Sequence, residues 1–149
     1  MEFIYVNARN VMQAAAVHAV SWRASHKHIC SQEFMDLHTP QRQAAYLLGE
    51  LEAGKQVVML VDHEPVGLVS VQGSLIENLY VLPQHWKKGY GSALLAYAER
   101  LCVGVPTLWI LSGNEAARRL YEKHGYAFTG CRKQLSEVLY EMEMKKQSR

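Results

Sequence analysis

Hydrophobic and polar positions along the chain follow two different periods. Apolar residues recur every three to four positions between residues 11 and 22, and Asn7 or Asn10 can cap that helix. From residue 56 the pattern changes to short β-branched and apolar runs separated by turn residues. The predicted helices cover residues 11–22, 34–37, 44–51, 94–102 and 117–124, and the predicted strands cover residues 3–6, 56–61, 66–71, 75–82, 107–111, 126–131 and 138–144.

The order of these elements predicts an α/β fold with a single domain over residues 1–149. One strand, three helices, three antiparallel strands, a helix, a strand, a helix and two closing strands follow one another. No repeat, low-complexity stretch or Pro/Gly/Ser linker interrupts this order. Because 149 residues is near the size of one ordinary domain, we expect one core.

A glycine-containing turn, His-Trp-Lys-Lys-Gly-Tyr-Gly-Ser at residues 85–92, joins a predicted strand to a helix. Unpaired amides and the helix dipole can hold a phosphate there, and Gly89 and Gly91 let the main chain approach it. The segment is not a Walker loop, because no lysine followed by Ser or Thr stands at the required place. It is not a dinucleotide fingerprint either, because Leu94 stands where the third glycine belongs. We expect main-chain amides to hold an anion, with Lys87 or Lys88 as outer support; the alternative is a plain glycine turn.

A second pattern follows the next predicted strand and consists of Asn114, Ala117, Tyr121, Gly125 and Tyr126. The first three residues fall on nearly one helix face, because spacings of three and seven are close to one and two turns. Such a face can present an amide and a phenol to one ligand. The alternative is a capping asparagine, a small packing residue and a core tyrosine.

Together, the two patterns resemble those of the GNAT superfamily of N-acetyltransferases. The family turn [Gln/Arg]-x-x-Gly-x-[Gly/Ala] is matched by residues 86–91, except that Trp86 stands at the first position. The family pattern Asn-x-x-Ala-x-x-x-Tyr-x-x-x-Gly-[Phe/Tyr] is matched by residues 114–126. The resemblance implies the GNAT fold, a mixed, mostly antiparallel sheet of about seven strands flanked by helices and splayed between the fourth and fifth strands.

The same resemblance implies a site for acetyl-coenzyme A as co-substrate in that splay. Main-chain groups of Leu79 and Val81 would run along the pantetheine and the acetyl carbonyl, and Asn114 would touch the pantetheine arm. Tyr121 would lie near the thioester sulfur. The amides on the pyrophosphate would be those of Lys88, Gly89, Tyr90, Gly91 and Ser92.

The residues also suggest how an acetyl group moves to a primary amine by direct transfer in a ternary complex. The N–H of Val81 can stabilise the negative charge on the thioester oxygen, and Tyr121 can protonate the leaving thiolate. We expect Glu77 to act as the base, because simple alternation along the strand places it on the face of Val81. Water is the alternative base. No cysteine–histidine pair suggests an acyl-enzyme.

The acceptor half of the chain carries no motif. By resemblance, the irregular segment at residues 21–37 would help form the acceptor groove, where Trp22, Arg23 and His26 could shape a pocket. The alternative for Trp22 is packing of the first helix on the sheet. His26 and His28 have His-x-His spacing without a convincing third ligand, so we expect no metal.

Composition restricts the partners. Sixteen Lys and Arg against 14 Asp and Glu give a net charge of +2, too balanced for a general nucleic-acid surface. The apolar runs are too short to span a membrane, and no secretory signal is evident, so a cytoplasmic protein is expected. Three cysteines without paired spacing agree with a reducing compartment.

Two further functions are compatible with the same residues. A non-catalytic module that binds or senses acyl-coenzyme A would keep the turn at residues 88–92 without needing Tyr121 or Glu77. A plain interaction domain would have no affinity for coenzyme A. The acceptor could be a small polyamine or amino acid, an aminoglycoside, a peptide N-terminus or a lysine side chain, and the protein a monomer or a homodimer.

Overall fold

The structure is a computed structural model that describes residues 1–27 and 29–148. Its helices and strands follow the predicted order throughout. The elements are β1 (Glu2–Tyr5), α1 (Val11–His26), α2 (Gln32–Asp36), α3 (Pro40–Glu52), β2 (Gln56–Asp62), β3 (Glu64–Gln72), β4 (Leu75–Val81), α4 (Tyr90–Leu101), β5 (Thr107–Leu111), α5 (Glu115–Lys123), β6 (Tyr126–Gln134) and β7 (Tyr140–Lys146), with a 3₁₀ turn at Pro83–His85.

The strands form one mixed sheet in the order β1-β2-β3-β4-β5-β7-β6. Every neighbouring pair is antiparallel except β4 and β5, which run parallel. These two strands pair only through Leu75↔Thr107 and Ile76↔Leu108. Beyond Ile76 they separate, so the predicted α/β sheet, splayed between its fourth and fifth strands, is confirmed.

The helices cover the two faces of this sheet with separate apolar clusters. On one face, α1 and α3 pack against β2 and β3 through side chains such as Ala14, Leu47 and Leu68. On the other face, α4 contributes Leu94 and Leu95 to a cluster with the strands. All five of these side chains are fully buried, and burial of such side chains is the main stabilising contribution to a domain of this size.

A bulge in β4 reverses the direction of the side chains along that strand. Leu68 of β3 pairs with Tyr80, whereas Ser70 pairs with Glu77, so one residue of β3 stands opposite two residues of β4. Asn78, one of those two, has φ = 55°, in the left-handed region that asparagine tolerates. The expectation that Glu77 shares the face of Val81 is therefore wrong.

The two ends of β4 consequently serve different faces of the sheet. Val81 and Leu79 pack against the cluster beneath α4. Tyr80 and Glu77 lie on the opposite face, where Tyr80 is next to α1 and Glu77 contacts the residues that follow α3. The extra residue of the bulge explains the difference, because inserting one residue shifts the alternation by one step.

Smaller differences concern the ends of elements. β6 continues to Gln134, and β7 begins at Tyr140 instead of residue 138. Val138 is 80% exposed in the turn between them. The prediction placed the start of β7 too early because it took this apolar residue for part of the strand. α4 ends at Leu101, which leaves Cys102 just outside the helix as its C-cap.

Candidate functional site

The turn before α4 has the main-chain geometry of an anion cradle. Lys87 and Gly89 both have positive φ, 63° and 87°, and Gly89 is the residue that precedes the helix. Among the described residues no side chain caps this N-terminus, so the first amides of α4 are left for another acceptor. Open space surrounds the position of a Cβ on Gly89, whereas a Cβ on Gly91 would approach Leu120 to 3.3 Å.

The side chains of this turn point to other contacts. The Tyr90 hydroxyl donates to Asp62 at the end of β2, and the Ser92 hydroxyl and His124 Nε2 are 2.8 Å apart. The predicted contribution of Tyr90 and Ser92 is through their amides, which these side-chain contacts do not use. The structure thus brings the predicted cradle residues 88–92 together at the N-terminus of one helix, beside the splay.

Val81 presents its main chain to the splay. Leu82 N–H donates to Val66 of β3 over 2.9 Å, and main-chain groups of successive strand residues point to opposite edges. The N–H and C=O of Val81 therefore point away from β3, towards the gap that β5 leaves open. This is where an extended ligand could add to the edge of β4.

Trp86 occupies part of that edge, which sequence reasoning did not foresee. Its indole Nε1 donates to the Val81 carbonyl oxygen over 2.8 Å, while the ring remains half-exposed. The side chain that replaces the family's Gln or Arg thus bonds one of the two main-chain groups at this position. The unusual residue in the motif was the only signal in the sequence.

Asn114 and Tyr121 lie at the two ends of α5. Asn114 caps the helix, its Oδ1 accepting from the Ala117 amide over 3.2 Å, which leaves its amide group for other contacts. Tyr121 is buried in the cluster below α4, with its ring 5.9 Å from that of Tyr126. Burial raises the pKa of Tyr121 to about 12, so its phenol keeps its proton at neutral pH.

Tyr80 precedes Val81 in β4, and its ring lies on the α1 side of the sheet. Its ring is 5.2 Å from that of His18 and 6.3 Å from that of His26. Burial first, and then the nearby Tyr121 and Tyr46, raise the pKa of Tyr80. The ring of Tyr80 therefore lies on the α1 side of the sheet, one residue before Val81 in β4.

Glu77 is held in an ion-pair chain on the α1 and α3 face. Lys55 Nζ lies 2.9 Å from Glu77 and 2.8 Å from Glu50. The hydrogen bonds that Lys55 donates to both carboxylates raise its pKa, against the effect of its burial. Glu77 thus carries a partner that the sequence did not indicate, because Lys55 follows α3 and is 22 residues distant in the chain.

Two of the three predicted acceptor residues are stacked together. The rings of Trp22 and His26 are 4.1 Å apart, and His38 stacks on the other side of Trp22 at 3.5 Å. Burial lowers the pKa of His26, whose Nδ1 is 2.7 Å from the Trp22 carbonyl oxygen. Arg23 is half-exposed and lies 4.0 Å from Asp36, so it does not join the stack.

A polar cavity of about 210 Å³ opens beside this stack. His18, Gln43, Tyr46 and Asn78 line it, and sequence reasoning named none of them as site residues. His18 was visible only as a polar residue on the apolar face of α1. Across residues 1–27 and 29–148, no group of three His, Cys, Asp or Glu could hold a metal, and no helix could cross a membrane; His28 lies outside this part.

Comparison with known proteins identifies the family of this chain. Residues 19–126 match the acetyltransferase (GNAT) family. This match covers more than half of the chain, and the chain therefore belongs to that family. It includes the splay, the turn before α4 and the whole of α5.

Individual relatives show how far the likeness extends. A mycothiol acetyltransferase from Amycolatopsis mediterranei is 36% identical in an alignment of 89 residues that covers 55% of this chain and 29% of that protein. The chain thus spans less than a third of the length of this curated relative. A GCN5-related N-acetyltransferase from Rhodopseudomonas palustris superposes with a TM-score of 0.77 at 21% identity, covering 99% of this chain and 95% of that one.

A third comparison involves a structure with a bound ligand. The PaiA N-acetyltransferase from Thermoplasma acidophilum, determined in complex with coenzyme A, superposes with a TM-score of 0.71. The two chains are 16% identical, and the likeness covers 97% of this chain and 99% of that one. At these identities the two structural comparisons show that the fold is shared.

Proposed function

We propose that the chain transfers an acetyl group from acetyl-coenzyme A to a primary amine, directly and in a ternary complex. The observation that carries this proposal is the edge of β4 at Val81, which β5 leaves without a strand partner; Val81 packs against the apolar cluster that contains the buried Tyr121. Family membership and the coenzyme A bound to the Thermoplasma protein support the donor.

The donor would lie in the splay and use mainly the main chain of this protein. Its pyrophosphate would accept from the amides of Lys88, Gly89, Tyr90, Gly91 and Ser92 at the positive end of α4. The pantetheine would lie along Leu79 and Val81 as an added strand, with the amide group of Asn114 beside it. If it bonds the Val81 carbonyl, the Trp86 indole has to move.

Transfer then requires three roles from this chain. The amine nitrogen attacks the thioester carbon, and the Val81 N–H stabilises the oxygen that becomes negative, a contribution of about 3 kcal/mol in comparable sites. When the carbon–sulfur bond breaks, the Tyr121 hydroxyl gives its proton to the thiolate. Before the attack, a proton of the ammonium group of the acceptor goes to Glu77, directly or through water, because only the neutral amine has a free electron pair.

Trp22 and His26 would form part of the acceptor groove, and Arg23 would contribute at its exposed rim. No metal takes part in this scheme. The acceptor is a small molecule or a peptide; neither nucleic acid nor membrane is expected as a partner, and either a monomer or a homodimer would suffice. A cytoplasmic location would supply acetyl-coenzyme A.

Calorimetric titration with acetyl-coenzyme A and with free coenzyme A is the first test. A thiol-release assay over a panel of amines belongs beside it. Binding together with thiol release on an amine supports the transferase. Binding without release on any amine favours a sensing module, and absence of binding contradicts the donor site at Gly89, Gly91 and Asn114.

A further inference from the structure

The cavity beside the aromatic stack has walls from four separate parts of the chain. His18 and Trp22 come from α1, His38 from the segment before α3, Gln43 and Tyr46 from α3, and Asn78 from the bulge of β4. It lies on the α1 face of the sheet, where the ring of His18, one of its lining residues, is 5.2 Å from that of Tyr80. None of these side chains is needed for the donor.

One wall of the cavity carries a buried polar atom without a partner. The His18 side chain is 2% exposed, and its Nδ1 has no hydrogen-bond partner among the described residues. Burial, followed by the charge of nearby His38, lowers the pKa of His18 to about 4, so the ring is neutral near pH 7. A neutral imidazole has one nitrogen that accepts a hydrogen bond, and leaving a buried polar atom unpaired is unfavourable.

The groups that hold the cavity wall carry a net negative charge. The Tyr46 hydroxyl donates to Glu50 over 2.9 Å, and the Asn78 side chain reaches the same carboxylate at 3.5 Å. Glu50 and Glu77 share the single ammonium of Lys55. Two carboxylates against one ammonium leave one negative charge beneath the cavity, which favours a cationic ligand over an anionic one.

The aromatic side chains and the size of the cavity restrict the ligand further. Tyr46 is a ring over which an alkylammonium can bind, whereas His26 and His38 cover the faces of Trp22, which only borders the cavity. A volume of about 210 Å³ is below the roughly 300–1,000 Å³ that encloses a drug-sized ligand. The cavity therefore accommodates the end of an aminoalkyl chain, with the remainder of the molecule in the opening.

We propose that this cavity is the acceptor pocket and that it binds an unbranched primary aminoalkyl group, which hydrogen-bonds to His18 beside the ring of Tyr46. This inference rests on the proposed function, because it names the class of acceptor that the same site would take. Within it, His18 and Tyr46 position the acceptor, and the chemical steps remain with Val81, Tyr121 and Glu77.

The test uses n-butylammonium chloride as the probe and sodium butyrate as its anionic counterpart. Nitrogen-15 NMR of the histidine rings follows both titrations of the full chain, and the His18→Gln variant assigns the His18 signals. We expect a saturable shift of the His18 ring with butylammonium and none with butyrate. Equal responses to the two probes, or no response to butylammonium, would overturn the proposal.

A pair of conservative variants separates the pocket from general effects. Tyr46→Phe removes only the hydroxyl that links the wall to Glu50, and we expect it to weaken butylammonium binding at least fivefold. Tyr5→Phe, on β1 outside the cavity, is the matched control and should bind as the original chain does. Equal affinities in all three proteins would also overturn the proposal.

Coenzyme A titrations of the same samples distinguish the two proposals. If coenzyme A binds and butylammonium does not, the pocket is wrong and the donor site stands. If butylammonium binds as expected and coenzyme A does not, the cavity is an amine site and the proposed transferase function fails. With any amine that releases thiol, Tyr46→Phe should raise KM for the acceptor and leave kcat within about twofold.

Discussion

The two sides of the site are built from different kinds of groups. On the proposed donor side, the main chain would supply the contacts, namely the edge of β4 at Val81 and the amides that follow Gly89. On the proposed acceptor side, side chains such as those of His18 and Tyr46 line a cavity formed by segments distant in the chain. Main-chain contacts depend on local backbone conformation, whereas a side-chain cavity depends on how separate elements pack.

The charges of the two sides also differ. Lys87 and Lys88 stand at the turn that would hold the pyrophosphate, whereas Glu50 and Glu77 exceed Lys55 by one charge near the acceptor cavity. Opposite fields at the two ends would orient an anionic donor and a cationic acceptor towards each other. The comparison predicts that changes on one side leave ligand binding on the other side intact.

Removing the Tyr121 hydroxyl should have the largest effect on turnover. Tyr121→Phe is expected to lower kcat by about 100-fold, at the lower end of the usual contribution of general acid–base catalysis. Coenzyme A affinity should stay near its original value, since the ring still fills the core. Tyr126→Phe, which loses its bond to Glu99, is the control and should retain kcat. Equal turnover in the two variants would return Tyr121 to a packing role.

Acid should weaken the acceptor side through His18. The unfolded chain binds a proton at His18 below the ordinary pKa of 6.5, while the folded chain resists it down to about 4. The unfolded state therefore binds more protons in this window, and stability falls as the pH falls, by about 3 kcal/mol in total.

Urea unfolding between pH 7 and 4 measures this dependence. In His18→Gln most of the slope should disappear, and burial of His26, whose pKa is also lowered, accounts for a remainder of the same sign. An unchanged slope in His18→Gln would contradict the assignment to His18.

The proposed base, Glu77, lies with Glu50 and Lys55 on the α1 and α3 face. Glu77→Gln should lower the rate at limiting acceptor by roughly 10-fold, a modest effect because water can partly replace a general base. The variant should also change the pH profile of that rate. Lys55→Met breaks the same ion pair but keeps the carboxylate, so its profile should keep its shape. If the two variants have identical pH profiles, Glu77 affects the rate through its ion pair with Lys55 and does not transfer a proton.

Backbone strain at the donor turn should weaken coenzyme A selectively. Alanine in place of Gly89 has to adopt φ near 87°, which costs about 1–2 kcal/mol, and we expect roughly 10-fold weaker binding as the turn relaxes. Gly104→Ala introduces the same strain, at φ = 91°, in the loop after α4. Both variants should lose similar stability, and calorimetry should find weaker binding only in the first. Comparable affinities would remove Gly89 from the donor site.

Trp86 should have the smallest effect, and in the opposite direction. Trp86→Phe keeps an aromatic ring but frees the Val81 carbonyl, whose hydrogen bond to the indole contributes about 1 kcal/mol. If the pantetheine bonds that carbonyl, coenzyme A should bind up to about fivefold more tightly. Calorimetry on the two proteins measures the difference. Unchanged affinity would show that the indole and the ligand do not compete.

Most of the fold follows from patterns that are local in the chain. The period of apolar residues, the turn residues and the caps placed in order the five α-helices and seven strands that the described residues form. Boundaries were less accurate where an exposed apolar residue such as Val138 imitated a strand. The bulge at Asn78 was missed, because a shift by one residue depends on pairing with β3, and nothing in residues 75–81 alone indicates it.

The sequence by itself determined the family, the splayed sheet and the turn at residues 86–91. These depend on glycines, caps and periodicity, which act over a few neighbouring residues. Only the tertiary structure decided the face of Glu77, its pairing with Lys55, the indole on Val81 and the cavity around His18. Each of these depends on contacts between segments brought together by packing, and a buried side chain acquires its partner and its pKa only there.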